Sequence, residues 1–473
     1  MGAHFIYNNK YFILFVACLI SRISTSIFFI EDIDSLRFAY SIADEYNILK
    51  LQPHFPGYAI FCFLANILYD VFGNLGMVFS ILGAISTFLI IFFSLQLLKF
   101  NLDSKEGLFT VALIFFNPMF WLMSNRYMPD LMGLSILIMA FYFLCQKNQK
   151  DILKGFFLIG ILAGVRISYL PFLFIIALLV FINNKSKLVL LCSILFGIMI
   201  WLIPMGFITG FDNLYITGIK HMNGHFTEYG GTIITDANWK IRIQYFFHTI
   251  WSDGFGGYWI NRSIITILLS CLLIPFIILL IKNIKSIINK NSKIQQLIIS
   301  TLIYIIWILP FQNIVHKSRH VMPLILVLIL LFSIIYKLYF IKLKGLIKLY
   351  PLLFISIMAY ITIQLSIQHK TPTAINKISQ YLKNKTQPMV IISMPLINYY
   401  LKSQNLNAEY IDIENNFELI NKNLNTINKN IIMIGDFKEK LTNHHLLEDT
   451  TFYHNPYVNR MWSNIKMYSN RKF

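Results

Sequence analysis

Charge is scarce in this chain: 13% of its 473 residues are Asp, Glu, Lys or Arg, against 56% that are hydrophobic. A soluble globular fold of this size has no core large enough to hide that balance, so it is excluded. Acids are scarcer still, 22 against 40 Lys and Arg. The resulting net charge of +18 does not make a nucleic-acid binder. The lysines fall mainly in short linkers between hydrophobic runs and in the tail, where membrane topology accounts for them. Cysteine is sparse too. The five, Cys18, Cys62, Cys145, Cys192 and Cys271, all sit inside apolar runs without metal-ligand spacing, so no disulfide framework or zinc site is implied. A phosphate loop, a nucleophile elbow and a convincing internal repeat are also missing.

What remains is a succession of apolar runs over the first 370 positions, each near the ~20 residues a helix needs to cross ~30 Å of hydrocarbon. Lipid offers no partner to a free backbone group, so these runs must be helices. Eleven spans are expected, at 11–30, 76–98, 107–125, 128–146, 155–166, 168–183, 188–209, 263–281, 296–314, 321–340 and 346–367. The fifth and sixth are short, and a re-entrant pair is an alternative. The first lacks a small-residue cleavage site and leads directly into an acidic loop, so it reads as a retained anchor. The stretch 57–72 begins with Pro56-Gly57 and carries Asn66 and Asp70, which suits a helix lying in the interface. With that stretch left out and the N-terminus inside, the inner linkers hold Lys99 and Lys105; Lys147, Lys150 and Lys154; Lys185 and Lys187; Lys282, Lys285, Lys290 and Lys293; and Lys337, Lys342, Lys344 and Lys348. That is the positive-inside pattern at every turn.

The fold class is therefore an all-α polytopic membrane protein with a small extracytoplasmic α/β domain at its C-terminus. The boundaries are 1–368 for the membrane domain, with outer loops 31–75 and 210–262, and 369–473 for the tail. In the tail, Val390 to Ser393 and Ile431 to Ile434 read as short buried strands, with helices near 395–403 and 415–425. Its default role is a support or a lid.

The outer face collects the chemistry. Glu31-Asp32-Ile33-Asp34 opens the first outer loop. Crowded, partly desolvated carboxyls gain the basicity a general base needs, although a solvated interfacial loop has the same composition. Arg37, one turn beyond Asp34, is placed to tune that acid or to hold an anion. Pro53-His54-Phe55-Pro56-Gly57-Tyr58 predicts a rigid, extended approach to the interfacial helix, with His54 at headgroup level as a donor to phosphate. Arg126, Arg166 and Arg319 stand at the outer ends of three hairpins, against the inside bias for cations. Arginine's planar fork suits phosphate, so the set reads as an anion site, with headgroup anchors as the bland alternative. Asp130, Lys317 and His320 accompany them. In loop 210–262, aromatic and glycine-rich stretches suit a sugar or a lid. His221 and His225 have the i, i+4 spacing of metal ligands, but Gly224 disfavours a helix between them.

In order and type, these elements resemble the polyprenyl-phosphate-sugar-dependent glycosyltransferases of the C-type membrane fold. That family includes the protein O-mannosyltransferases and the lipid A aminoarabinose transferases. The resemblance rests on Asp32-Ile33-Asp34 with Leu36-Arg37-Phe38-Ala39-Tyr40, on His54-Phe55-Pro56-Gly57-Tyr58, on Arg126 to Asp130 and on Arg319-His320-Val321-Met322-Pro323. Phe55 departs from the proline usual in the family. The resemblance implies a donor sugar on a polyprenyl phosphate in the outer leaflet and a hydroxyl or amine acceptor on a lipid, glycan or protein. It also implies an aspartate base, Asp34 with Asp32 as competitor. Arg126, Arg166, Arg319, Lys317, His54 and Arg37 would then serve the donor phosphate, and Asp130, Glu31, Tyr58 and His320 would contact substrate. No cofactor is expected; a divalent ion beside Asp32 and Asp34 stays open, without a spacing that supports it. A flippase for a lipid-linked anion and an en bloc glycan ligase or polymerase are the rival readings.

Overall fold

The structure, a computed structural model, describes residues 2–385, 388–413, 430–437 and 448–469. They fall into two compact units, Met1–Ile27 with Phe38–Ile367, and Phe28–Arg37 with Gln368–Phe473.

The first unit is helical. Its elements begin with α1 (Gly2–Ser24), α2 (Ile33–Ala43, whose first residues belong to the second unit), α3 (Ala59–Phe72) and α4 (Leu75–Leu98). Then come α5 (Lys105–Phe115), α6 (Pro118–Asn125), α7 (Asp130–Leu144), α8 (Gln149–Arg166), α9 (Leu170–Asn183) and α10 (Lys187–Thr209). After α11 (Phe211–Gly224) and α12 (Trp239–His248), the unit closes with α13 (Ile265–Lys290), α14 (Ser292–Phe311), α15 (Met322–Tyr339) and α16 (Tyr350–His369, whose last two residues belong to the second unit). Polar residues in the linkers act as caps. The side chains of Asn74, Ser104, Asn117, Asn148 and Asn291 accept backbone N–H groups at the starts of α4, α5, α6, α8 and α14.

Among the described residues, seven continuous stretches are long and apolar enough to cross a membrane, or eight if a bent pair counts as one, fewer than the eleven expected. The pair is α5 and α6, bent by 52° at the expected span 107–125. Pro118 has no N–H to donate and Asn117 caps the new helix, so the run breaks there. The expected span 128–146 is only the 15-residue α7, about 22 Å long. The expected 11–30 stops at Ser24, where Thr25 and Ser26 turn their hydroxyls back onto the carbonyls of Ser21 and Ile23.

One apolar stretch, Gln149–Asn183, reverses within itself. Arg166 leaves the helical region (φ −154°, ψ 78°). At the far end, Asn184 Nδ2 donates to Gln149 Oε1 at 2.8 Å, which a straight 35-residue helix of about 52 Å forbids. Packing against α10 agrees: Ser193 bonds to the Leu153 carbonyl and Trp201 to that of Gly160, so α8 and α10 pack directly and run parallel, and α9, which joins them in sequence, runs the other way. Close approach is made by glycine. A Cβ on Gly160 would meet the Ile194 carbonyl at 2.4 Å, and one on Gly197 the Phe157 carbonyl at 2.4 Å.

Helix α3, 14 residues long with Phe63 and Val71 exposed, has the length of the expected interfacial helix. The approach to it is not extended. Residues 47–57 form successive turns, with a bridge between Asn47 and Gln52 and a bond from Gly57 N–H to the His54 carbonyl. The 210–262 loop likewise folds into α11 and α12, each ending in a π-helical turn, at His225–Tyr229 and Thr249–Gly254.

The second unit holds a five-stranded sheet ordered β2-β1-β3-β5-β4. Its strands are β1 (Met389–Ser393), β2 (Ala408–Asp412), β3 (Asn430–Ile434), β4 (Glu448–Tyr453) and β5 (Asn464–Ser469). β2, β1 and β3 are parallel, with Ile391 opposite Ile432, while β5 and β4 run antiparallel. The near-continuous apolar runs of β1 and β3 mark strands covered on both faces. α17 (Ala374–Lys383) and α18 (Pro395–Ser403) accompany the sheet. The expected helix at 395–403 is α18, and the one expected at 415–425 lies outside the described residues.

Candidate functional site

In the first unit, three helix ends deliver charge to one place. Asp130, at the start of α7, is buried and lies 2.8 Å from Arg166 Nη2 at the end of α8. It also lies 3.5 Å from Arg319 Nε in the turn before α15. These are ion-pair distances without hydrogen-bond geometry at the Asp130 oxygens. Tyr169 and Tyr304 wall the cluster, with ring centroids 6.1 Å apart, and Tyr304 donates to the His320 carbonyl at 2.9 Å. Arg166, Arg319, Lys317 and His225 lie within electrostatic range of the buried His320 ring, and Tyr58 within range of Arg166. Two guanidiniums meet at one buried carboxylate, where desolvation costs several kcal/mol per ion. Such a place favours an anion. Asp130, expected to contact substrate, is occupied in holding the two arginines.

Next to this cluster, His54 and Tyr58 share a hydrogen bond (Nε2···Oη, 3.1 Å), and Phe38 packs edge-on to both rings. The His54 ring faces His221 at 5.7 Å, and His221 faces His225 at 6.4 Å. The helix therefore persists through Gly224, contrary to the expectation of a break. Among the described residues no group of His, Cys, Asp or Glu has metal-site geometry. His225 Nε2 bonds to the Phe311 carbonyl, and burial, reinforced by Lys317 and Arg166, pushes its pKa down. It is neutral at pH 7. Arg126 is buried at the end of α6, where Asn125 and Tyr127 on either side of it bond to Thr25 and Ile27.

In the second unit, the acidic loop is gripped residue by residue. Tyr400 donates to the Ile30 carbonyl (2.7 Å) and Thr373 to the Glu31 carbonyl (3.0 Å). His369 Nε2 meets Glu31 Oε1 at 2.7 Å, both groups being buried. Asp32 Oδ1 accepts from Ser35 N–H and caps α2, while Oδ2 accepts from Asn459 Nδ2 at 3.0 Å. Burial, then the charges of Asp32 and Glu31, push the Tyr400 hydroxyl up to about 12, so it stays a donor at neutral pH. α2 continues past Asp34, as expected, and sets Arg37 Nη1 3.9 Å from Asp34 Oδ1.

Several partners escaped the sequence. His369, Thr373, Tyr400 and Asn459 lie more than 330 positions from the loop they hold, and carry no motif. Arg242 was missed as well; it bonds to the carbonyls of Gly231, Leu309 and Gln312 and ties loop 210–262 to the end of α14. Arg22, the one cation within 11–30, is buried with its guanidinium 3.7 Å above Trp121 and bonded to the carbonyl of Phe115, the last residue of α5. A helix C-terminus and an aromatic face together satisfy it.

The chain has a solved structural counterpart. ArnT from Cupriavidus metallidurans in the apo state superposes with a TM-score of 0.52 at 10% sequence identity, over 98% of this chain and 98% of that one. The same protein bound to undecaprenyl phosphate covers the same shares at a TM-score of 0.48 and 10% identity. No family model and no curated protein matches the chain. The chain thus shares the ArnT fold, and its chemistry has to be read from its own residues.

Proposed function

We propose that this chain, which has the fold of ArnT, is an inverting glycosyltransferase of the outer membrane face that takes its sugar from a polyprenyl phosphate. The observation that carries the reading is the buried meeting of Arg166 and Arg319 at Asp130. A phosphodiester leaving as a monoester gains one negative charge, and preformed cations lower the barrier to that step. In this reading Arg126, Arg166, Arg319, Lys317, Arg37 and His54 receive the leaving phosphate, with Tyr58 and His320 beside it.

Asp34 is the base. It takes the proton of an acceptor hydroxyl or amine as the acceptor attacks the anomeric carbon from the face opposite the phosphate. The bond from that carbon to the phosphate oxygen breaks, and its electron pair leaves with the polyprenyl phosphate. Asp32 is the weaker candidate because one of its oxygens caps α2 and the other accepts from Asn459. The acceptor is a lipid, a glycan or a protein. In this reading the N-terminus is cytoplasmic and the C-terminal domain outside, as expected from the lysine-rich linkers of the sequence. Purified chain supplied with polyprenyl-phosphate sugars, beside mass spectrometry of envelope glycans with and without the gene, tests the reading. Unaltered glycans and no transfer would sink it.

A further inference from the structure

We infer that His369 and Asn459 are positioning residues for the acidic loop, so that the C-terminal chain sets the aim of Asp34. The inference rests on the proposed function, since it gives a catalytic meaning to where Asp34 points.

The loop's three consecutive residues Ile30, Glu31 and Asp32 receive four hydrogen bonds from Tyr400, Thr373, His369 and Asn459, all at 3.0 Å or less. A solvated turn has no need of that grip. Glu31 and Asp32 are both fully buried, and a carboxylate keeps its charge there only with partners of this kind. Asn459 is itself locked. Its Oδ1 accepts from Met461 N–H (2.9 Å), which fixes the amide orientation, and its carbonyl accepts from His454 Nε2 (2.8 Å). His454 Nδ1 accepts from Ala374 N–H at the start of α17, so the proton is on Nε2 and the ring is neutral. A chain of fixed orientations thus runs from the start of α17 through His454 and Asn459 to Asp32. The last link is geometric: Asp32 caps α2, and Asp34 is the second residue of that helix. A turn of Asp32 about its backbone turns the first residues of α2 and swings the Asp34 carboxylate. Displacement of a reacting group by about 1 Å costs up to ~100-fold in rate. A lid that opens and shuts would break these bonds at each cycle, whereas a fixed mount keeps them.

The test uses the full chain in detergent with three variants, His369→Ala, His369→Gln and Asn459→Ala, and three readouts: hydrogen exchange in residues 28–37, melting, and transfer kinetics. Both alanine variants are expected to raise exchange in 28–37 while protection elsewhere holds. Their kcat should fall by about tenfold to a hundredfold with the donor KM within about twofold. His369→Gln, whose amide still donates to Glu31, should recover most of kcat. The inference is overturned if exchange in 28–37 does not change, if it rises without loss of kcat, or if protection falls across the chain together with melting. Absence of transfer by the unaltered chain defeats the proposed function instead, and the exchange data still decide whether His369 and Asn459 hold the loop.

Discussion

The arginine cluster and the acidic loop both bury charge, and they manage it in opposite ways. Around Asp130 two cations crowd one carboxylate at ion-pair distance, without hydrogen-bond geometry at its oxygens. In the acidic loop, Glu31 and Asp32 each have directional partners, His369 for one and Ser35 N–H with Asn459 for the other. Two guanidiniums held with loose geometry suit an anion that arrives and leaves. Charge held by directed hydrogen bonds suits a group whose position must not drift, as a base requires.

The contrast can be broken at several points. Asp34→Asn should have the largest effect, a loss of about 10²- to 10⁴-fold in transfer rate with melting unchanged, the range a general base supplies. Near-normal transfer would move the base elsewhere. Asp130→Ala should destabilise the first unit by about 3–5 kcal/mol, because it leaves two buried guanidiniums facing each other. A melting curve in detergent reads this, and an unchanged midpoint would mean the cluster is hydrated. Arg319→Lys keeps the charge but loses the fork, and should weaken the donor by about tenfold in KM with kcat less affected. A fall in kcat with KM unchanged would place Arg319 in the transition state alone.

The smallest effect concerns His225. Its folded pKa is held below the ordinary value, so the unfolded chain binds the extra proton first. The neutral ring's contribution to stability is then complete above about pH 6.5 and declines as the pH falls through the folded pKa. Between pH 7 and 5 melting should fall less steeply for His225→Gln than for the unaltered chain. Parallel curves would remove His225 from that account.

How far the sequence could be read differs between the same two regions. The three hairpin arginines stood out because cations at outer helix ends run against the inside bias, and the structure brings Arg166 and Arg319 onto Asp130. Asp34 and Arg37 were legible by helical spacing. The grip on Glu31 and Asp32 was not, because a hydrogen bond between residues 32 and 459 leaves no periodicity in the chain. Span lengths were legible to a few residues where apolar runs were uninterrupted, as in α4 and α10, and failed at Asn117-Pro118, where one proline split a run.

By itself, then, the amino-acid sequence determined the solvent of this protein and the helices within it, because burying apolar side chains and pairing every backbone group in lipid are local demands that each run meets alone. It also determined which residues carry charge at the ends of those helices. Which of those charges meet was decided only by tertiary structure. A lone carboxylate or guanidinium cannot stay buried, and the partner that satisfies it is chosen by how distant segments pack, not by its place in the chain.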